Sequence, residues 1–202
     1  MKGHMRKENW EASNPKESRI FTPAIISNCI YQNITASTSP LQRSVFDICS
    51  GNGSLSKPWI EEPSSLSFFG RIDIEMPTVE EGKFGFTQDD FFESDLSFTE
   101  SDLILCNPPF NGWGRKLASE VFLDEIMKRG GYQVVLFAPM GFRLNQRIRS
   151  SRWRKLRQIQ KSGFRLTGIL SLPLDIFPGV QFHSEVLFFN VPLTDPLMWI
   201  DE

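Results

Sequence analysis

Histidine is almost missing from this chain of 202 residues, which carries only His4 and His183. Cysteine is scarce as well: Cys29, Cys49 and Cys106 form an odd set with no Cys-x-x-Cys spacing. These shortages argue against a zinc site and against a disulfide framework, and leave the thiols as small core hydrophobes in a reducing cytosol. No Ser-His-Asp or Cys-His constellation is worth assembling from so few imidazoles. Long apolar runs are lacking too. None approaches the roughly 20 residues of a membrane helix, and no signal peptide opens the chain, so the expectation is a cytoplasmic protein without a membrane partner. Internal repeats and low-complexity segments do not occur either.

What is present is ordinary for a globular protein, with 40% hydrophobic and 23% charged residues in a length that fits one domain. Met1 to Met5 read as a tag scar (1–4) ahead of a native start, residues 1–19 as a flexible polar arm, and 20–202 as a single domain. A local absence says more. Between Ile126 and Leu174 there is no Asp or Glu, yet eleven basic residues fall there, half of the 22 Lys and Arg in the chain. Arg143, Arg147, Arg152, Arg154 and Arg157 lie in the middle of that stretch. From Asp73 to Asp102 the balance reverses, with ten acids against one lysine. A division of this kind suits a nucleic-acid partner, although a solvated basic face explains most charge runs.

Strand and helix patterns alternate along the chain. Thr22-Pro23 reads as an N-cap with proline at the first helical position, opening a helix over Ala24 to Tyr31 with apolar residues at 25, 26, 29 and 30. Strands are expected at Ser44–Ile48, Leu66–Glu75, Phe84–Phe86 and Asp102–Cys106. A helix over Leu117–Met127 ends at Gly130-Gly131, and a buried strand covers Tyr132–Pro139. A basic helix spans Leu144–Lys161, followed by strands Leu166–Leu172 and Glu185–Asn190. The alternation predicts an α/β fold with a mostly parallel sheet between helices.

Two loops carry the chemistry. Asp47-Ile48-Cys49-Ser50-Gly51-Asn52-Gly53 breaks a strand into a turn whose glycines permit positive φ and close approach of a ligand to the backbone. An acid and a Gly-x-Gly turn at a strand end suit a nucleoside-type ligand at the edge of a parallel sheet. The helix after it is short, because Pro58 and Pro63 interrupt it. The second loop is Asn107-Pro108-Pro109-Phe110, at the end of the apolar run Leu103–Cys106. Two prolines supply no N–H and hold φ, so the chain leaves the sheet in a stiff corner. The Asn107 amide and the Pro108 carbonyl are then free to accept hydrogen bonds from a planar amino group, with the Phe110 ring beside it.

Asn107 to Phe110 resembles the Asn-Pro-Pro-aromatic signature of amino-group methyltransferases that use S-adenosyl-L-methionine, and the DNA adenine-N6 methyltransferases above all. Phe21-Thr22-Pro23, the glycine loop, an acid on the second strand, Asp90-Phe91 and a late aromatic turn stand in the gamma-type order of that family. The resemblance runs from about Phe21 to Asn190 and implies a Rossmann-like, seven-stranded sheet whose last hairpin is antiparallel. It implies a cofactor site made of Phe21, Thr22, Pro23, Asp47, Ser50, Gly51, Gly53, Asp73 (Glu75 in reserve), Asp90, Phe91 and Asn107. Asn107, Pro108, Pro109 and Phe110 become catalytic. Phe110 and Phe177 (Phe182 in reserve) would hold a flipped adenine, and Arg143, Arg147, Arg152, Arg154 and Arg157 the phosphate backbone. DNA is the favoured substrate and RNA the alternative; a protein glutamine or a non-catalytic subunit role are rivals. Only twelve residues follow Asn190, which leaves no room for a target-recognition region and points to weak specificity, a separate recognition subunit, or RNA.

Overall fold

The computed structural model describes residues 20–37, 43–62, 66–75, 77, 85–110, 112–113, 116–144, 147–177 and 183–200. The arm expected at 1–19, Phe84 and Phe182 lie outside them. Strands β1 (Arg43–Ile48), β2 (Leu66–Asp73), β3 (Phe86–Gln88), β4 (Leu103–Cys106), β7 (Gln133–Pro139), β8 (Leu166–Ser171), β9 (Ser184–Phe189) and β10 (Leu197–Trp199) join in one sheet. Their order is β10-β8-β9-β7-β4-β1-β2-β3. Every pairing is parallel except the two made by β9. A short antiparallel pair, β5 (Gly112–Trp113) and β6 (Lys116–Leu117), stands apart from it.

The sheet is covered on both faces, and the strands show it by alternation. Leu103 and Leu105 of β4, with Val135 and Phe137 of β7, pack in one core with Ile26, Ile30 and Ile34 of helix α1 (Ala24–Ser37) and Trp59 of α2 (Lys57–Glu61). Ile104 and Cys106, with Val134, Leu136 and Ala138, face the other core. That core is filled by Phe122, Leu123 and Ile126 of α3 (Ala118–Lys128) and Ile159 of α4 (Ser151–Lys161). Strand order reverses between β1 and β4, so the loops leaving both meet at a crevice of the kind where open α/β sheets bind ligands.

Three expectations change. The sheet has eight strands, not seven: β10 pairs with β8, and the segment before it is tied to α1 because Asn33 Oδ1 accepts from Thr194 N at 2.8 Å and Asn33 Nδ2 donates to Asp195 O at 3.1 Å. Basic helix α4 starts at Ser151 rather than 144, since Ser150 caps it, its Oγ accepting from Trp153 N at 3.2 Å. A single 3-10 turn, Met140–Phe142, precedes it. Thr22 does not cap α1: the Pro23 carbonyl accepts the first helical bonds, from Ile26 N and Ser27 N, while Thr22 turns to the loop after β4. No helix among the described residues is long and apolar enough to cross a membrane.

Candidate functional site at the switch point

The turn after β1 is bent by three positive φ values in five residues: Cys49 at 63°, Gly51 at 53° and Gly53 at 82°. Such a value in a cysteine is uncommon and costs on the order of 1–3 kcal/mol. A Cβ on Gly51 would come within 3.2 Å of the Phe21 ring, and one on Gly53 would run into the Arg71 guanidinium. The glycines therefore admit both a strained turn and close neighbours. Phe21 is 48% exposed and lies against Gly51, so the segment before α1 does border the glycine loop.

Asp73, at the end of β2, ties that loop down. Its Oδ2 accepts from Gly51 N at 2.9 Å and its Oδ1 from Glu75 N at 3.0 Å. Burial pushes its pKa up against those bonds. Lone pairs remain on both oxygens for a hydroxyl donor. Ser50 Oγ, in the same loop, is buried and has no hydrogen-bond partner among the described residues. Glycine turn, anchored carboxylate and unpaired hydroxyl fit a nucleoside-type ligand.

Asp47, at the end of β1, is 1% exposed, and its Oδ2 accepts from Ser56 Oγ at 2.6 Å. Burial pushes its pKa up to about 7, against the pull of the Ser56 hydrogen bond and the Arg71 charge. Ser56 and Arg71 are thus residues that sequence reasoning missed. Arg71 carried a signal, a charge in a strand whose neighbours are apolar; Ser56 carried none. Phe91 is also a core residue, 4% exposed, stacked on Phe122 at 5.9 Å with the Arg129 guanidinium 4.8 Å from its ring centre. Asp90 is half-buried and accepts from Phe92 N at 2.9 Å.

The corner after β4 is held from the far end of the chain. Asn107 Nδ2 donates to Thr22 Oγ1 at 3.1 Å, which fixes the amide plane, and Asn107 Oδ1 is left buried without a hydrogen-bond partner among the described residues. Pro108 is buried; Pro109 and Phe110 are half-buried. A narrow crevice beside them is lined by Pro108, Pro109, Phe110, Ala118, Ser119 and Phe137, among others. Phe177 packs behind it at 1% exposure, 5.6 Å from Phe110 and 6.4 Å from Phe137 between ring centres, so it is closed off from a base in this state.

The basic stretch divides in two. Arg143 makes a two-point contact with Glu185 (Nε to Oε1 3.2 Å, Nη2 to Oε2 3.0 Å), and Glu185 is 2% exposed. Arg152 pairs with Glu120 at 2.9 Å and donates to Gly141 O, while Lys155 pairs with Asp124. The acids missing from the sequence window are supplied by α3 and β9. Arg143 and Arg152 are thus paired with acids inside the fold. Arg147, Arg149, Arg154 and Arg157 are exposed.

No protein-family model matches the sequence, and no curated protein does. The fold is that of class I methyltransferases. A Listeria monocytogenes protein described as a class I S-adenosylmethionine-dependent methyltransferase superposes with a TM-score of 0.63 at 13% identity, over 95% of this chain and 68% of that one. The methyltransferase subunit of a type I restriction-modification system from Streptococcus thermophilus gives 0.62 at 16%, over 90% of this chain. This chain spans 47% of that subunit's length. Magnesium protoporphyrin IX methyltransferase from Synechocystis PCC 6803, with bound SAH, gives 0.55 at 14%, over 82% and 81%.

Proposed function

We propose that the protein is an S-adenosylmethionine-dependent methyltransferase that modifies the exocyclic N6 of adenine in DNA. The observation that carries this reading is Asn107: its amide nitrogen is held by Thr22 and its amide oxygen is buried and unpaired. A buried acceptor without a donor is costly to keep, so its presence at a stiff corner asks for a donor from a ligand. An amino group on a flat ring supplies one, with the Pro108 carbonyl as second acceptor and Phe110 as stacking surface.

The glycine turn, Asp73 and Ser50 fit S-adenosylmethionine, with Phe21 closing beside them. When bound, that cofactor supplies an electrophilic methyl group on a sulfonium. The chain's own part is to orient the acceptor nitrogen. Its lone pair is delocalised into the ring, and hydrogen bonds to Asn107 Oδ1 and the Pro108 carbonyl draw it towards tetrahedral geometry. The same bonds stabilise the positive charge that develops on the amine. Phe110 limits the angle of approach. A base from a duplex must first leave the stack, at about a few kcal/mol, and Phe177 must move if it is to contact it.

The exposed Arg147, Arg149, Arg154 and Arg157 supply charge for the phosphate backbone. Likeness to a restriction-modification subunit, of which this chain spans about half, supports a nucleic-acid substrate and a separate recognition subunit. Incubation with labelled S-adenosylmethionine and DNA, RNA or protein extract tests the proposal. Label in N6-methyladenine from DNA is the expected result; label confined to RNA or to glutamine in protein would reassign the substrate.

A further inference from the structure

The crevice beside the proline corner contains a polar group that the catalytic reading does not use. Ser119 occupies the second position of α3, is 2% exposed, and its Oγ is buried with no hydrogen-bond partner among the described residues. The walls around it are Pro108, Pro109, Phe110, Ala118 and Phe137, whose side chains offer no hydrogen bond. A serine in a first helical turn ordinarily caps the helix or meets water. Here the capping work is done by Glu120, whose Oε2 accepts from Leu117 N at 3.2 Å. A buried hydroxyl without a partner is unfavourable unless a ligand completes it.

We propose that Ser119 is a substrate-recognition residue whose hydroxyl donates a hydrogen bond to a ring nitrogen of the base that Asn107 and Pro108 hold by its amino group. The expected partner is an acceptor because the unsatisfied N–H groups of the first turn place positive partial charge at that end of the eleven-residue helix. Adenine presents acceptor nitrogens, N1 and N7, on the two sides of its amine. A hydrogen bond from Ser119 to the ring adds a contact that the Asn107 amide oxygen and the Pro108 carbonyl, which meet only the amino group, do not make. The inference rests on the adenine reading and names a determinant within it.

The test pairs a protein change with an atom change in the substrate. Wild type and Ser119→Ala are assayed for labelled methyl transfer to oligonucleotide pools containing adenine, 1-deazaadenine or 7-deazaadenine, and cofactor affinity is measured for both proteins. Ser119→Ala is expected to lower kcat/KM on adenine by about 10- to 100-fold with cofactor affinity unchanged. One of the two deaza replacements should reduce wild-type transfer by a similar factor and the variant's not at all. Transfer by Ser119→Ala within about twofold of wild type, or deaza effects equal in both proteins, would overturn the role of Ser119 and leave adenine methylation standing. Failure of the wild type to methylate adenine in any pool, with transfer to another acceptor, would remove the adenine reading and this inference together. Because the deaza effect is read on the unmodified protein as well, a folding defect in the variant cannot imitate the expected pattern.

Discussion

The proline corner and the basic stretch look equally purposeful in the sequence, yet the fold uses them in different ways. At the corner, a polar side chain is held by one partner and left open on its other atom, as Asn107 shows. In the basic stretch, the three side chains Arg143, Arg152 and Lys155 are taken up by Glu185, Glu120 and Asp124. Those acids lie on other elements, and the contacts fasten the loop after β7 and helix α4 onto the body. The basic stretch thus has charge that is already matched by acids, whereas the corner keeps an acceptor that is not.

The sharpest way to break that contrast is at Asn107. Asn107→Ala is expected to lower kcat by roughly 10²–10³-fold or more, in line with loss of one preorganised hydrogen-bonding group at a reacting centre. Calorimetry should still detect S-adenosylmethionine binding. Turnover within tenfold of wild type would take Asn107 out of the mechanism.

A pH effect separates the glycine loop from both. Burial holds Asp47 up to about 7 against an ordinary 3.8, so between those values the folded state binds a proton that the unfolded state releases. The contribution of this group is thus fully present below the ordinary carboxylate range and is lost as pH rises towards 7. Asp47→Asn should remove that loss, gaining stability relative to wild type at pH 8 but not at pH 4, by on the order of 3 kcal/mol. Urea titrations of both proteins across the range would show it. Parallel curves would mean that folding leaves the pKa of Asp47 unchanged.

Arg143→Ala probes the structural half of the basic stretch. It leaves Glu185, 2% exposed, without its two-point partner. Breaking a fully buried pair costs about 3–5 kcal/mol, and Arg143 is partly exposed, so about 2 kcal/mol is expected. The readout is thermal unfolding. Adding Glu185→Gln should restore part of the loss, and an unchanged Tm would make the pair ornamental.

Much of the fold was legible because parallel strands buried on both faces must be apolar runs. Leu103–Cys106 and Val134–Ala138 are such runs, and both are strands. The corner was legible because prolines end a strand for a stated physical reason. Strand β10 was not: three residues carry no period, and they are placed by pairing with β8 and by Asn33, some 160 positions away in the chain, which ties the segment before them. Phe91 and Phe177 show a different limit, since an aromatic residue that lines a site and one that fills a core are the same letter. Ser119 gave no signal at all, because an unpaired hydroxyl exists only once its neighbours are in place.

The smallest expected effect tests the exposed half of the basic stretch. Arg154 and Arg157 stand exposed on α4, whereas Arg152 on the same helix faces Glu120. Each cation that meets a phosphate releases about one counterion on binding, so reversing two of them should flatten the slope of log K against log salt by about 2. Arg154→Glu with Arg157→Glu, followed by fluorescence anisotropy of a labelled oligonucleotide from about 50 to 200 mM salt, measures this. Thermal unfolding should be unaffected, in contrast to Arg143→Ala. Were the salt slope to stay put while Tm fell, α4 would belong wholly to the fold, and the nucleic-acid surface would have to be sought around Arg147 and Arg149, on the loop that leaves β7 beside the corner.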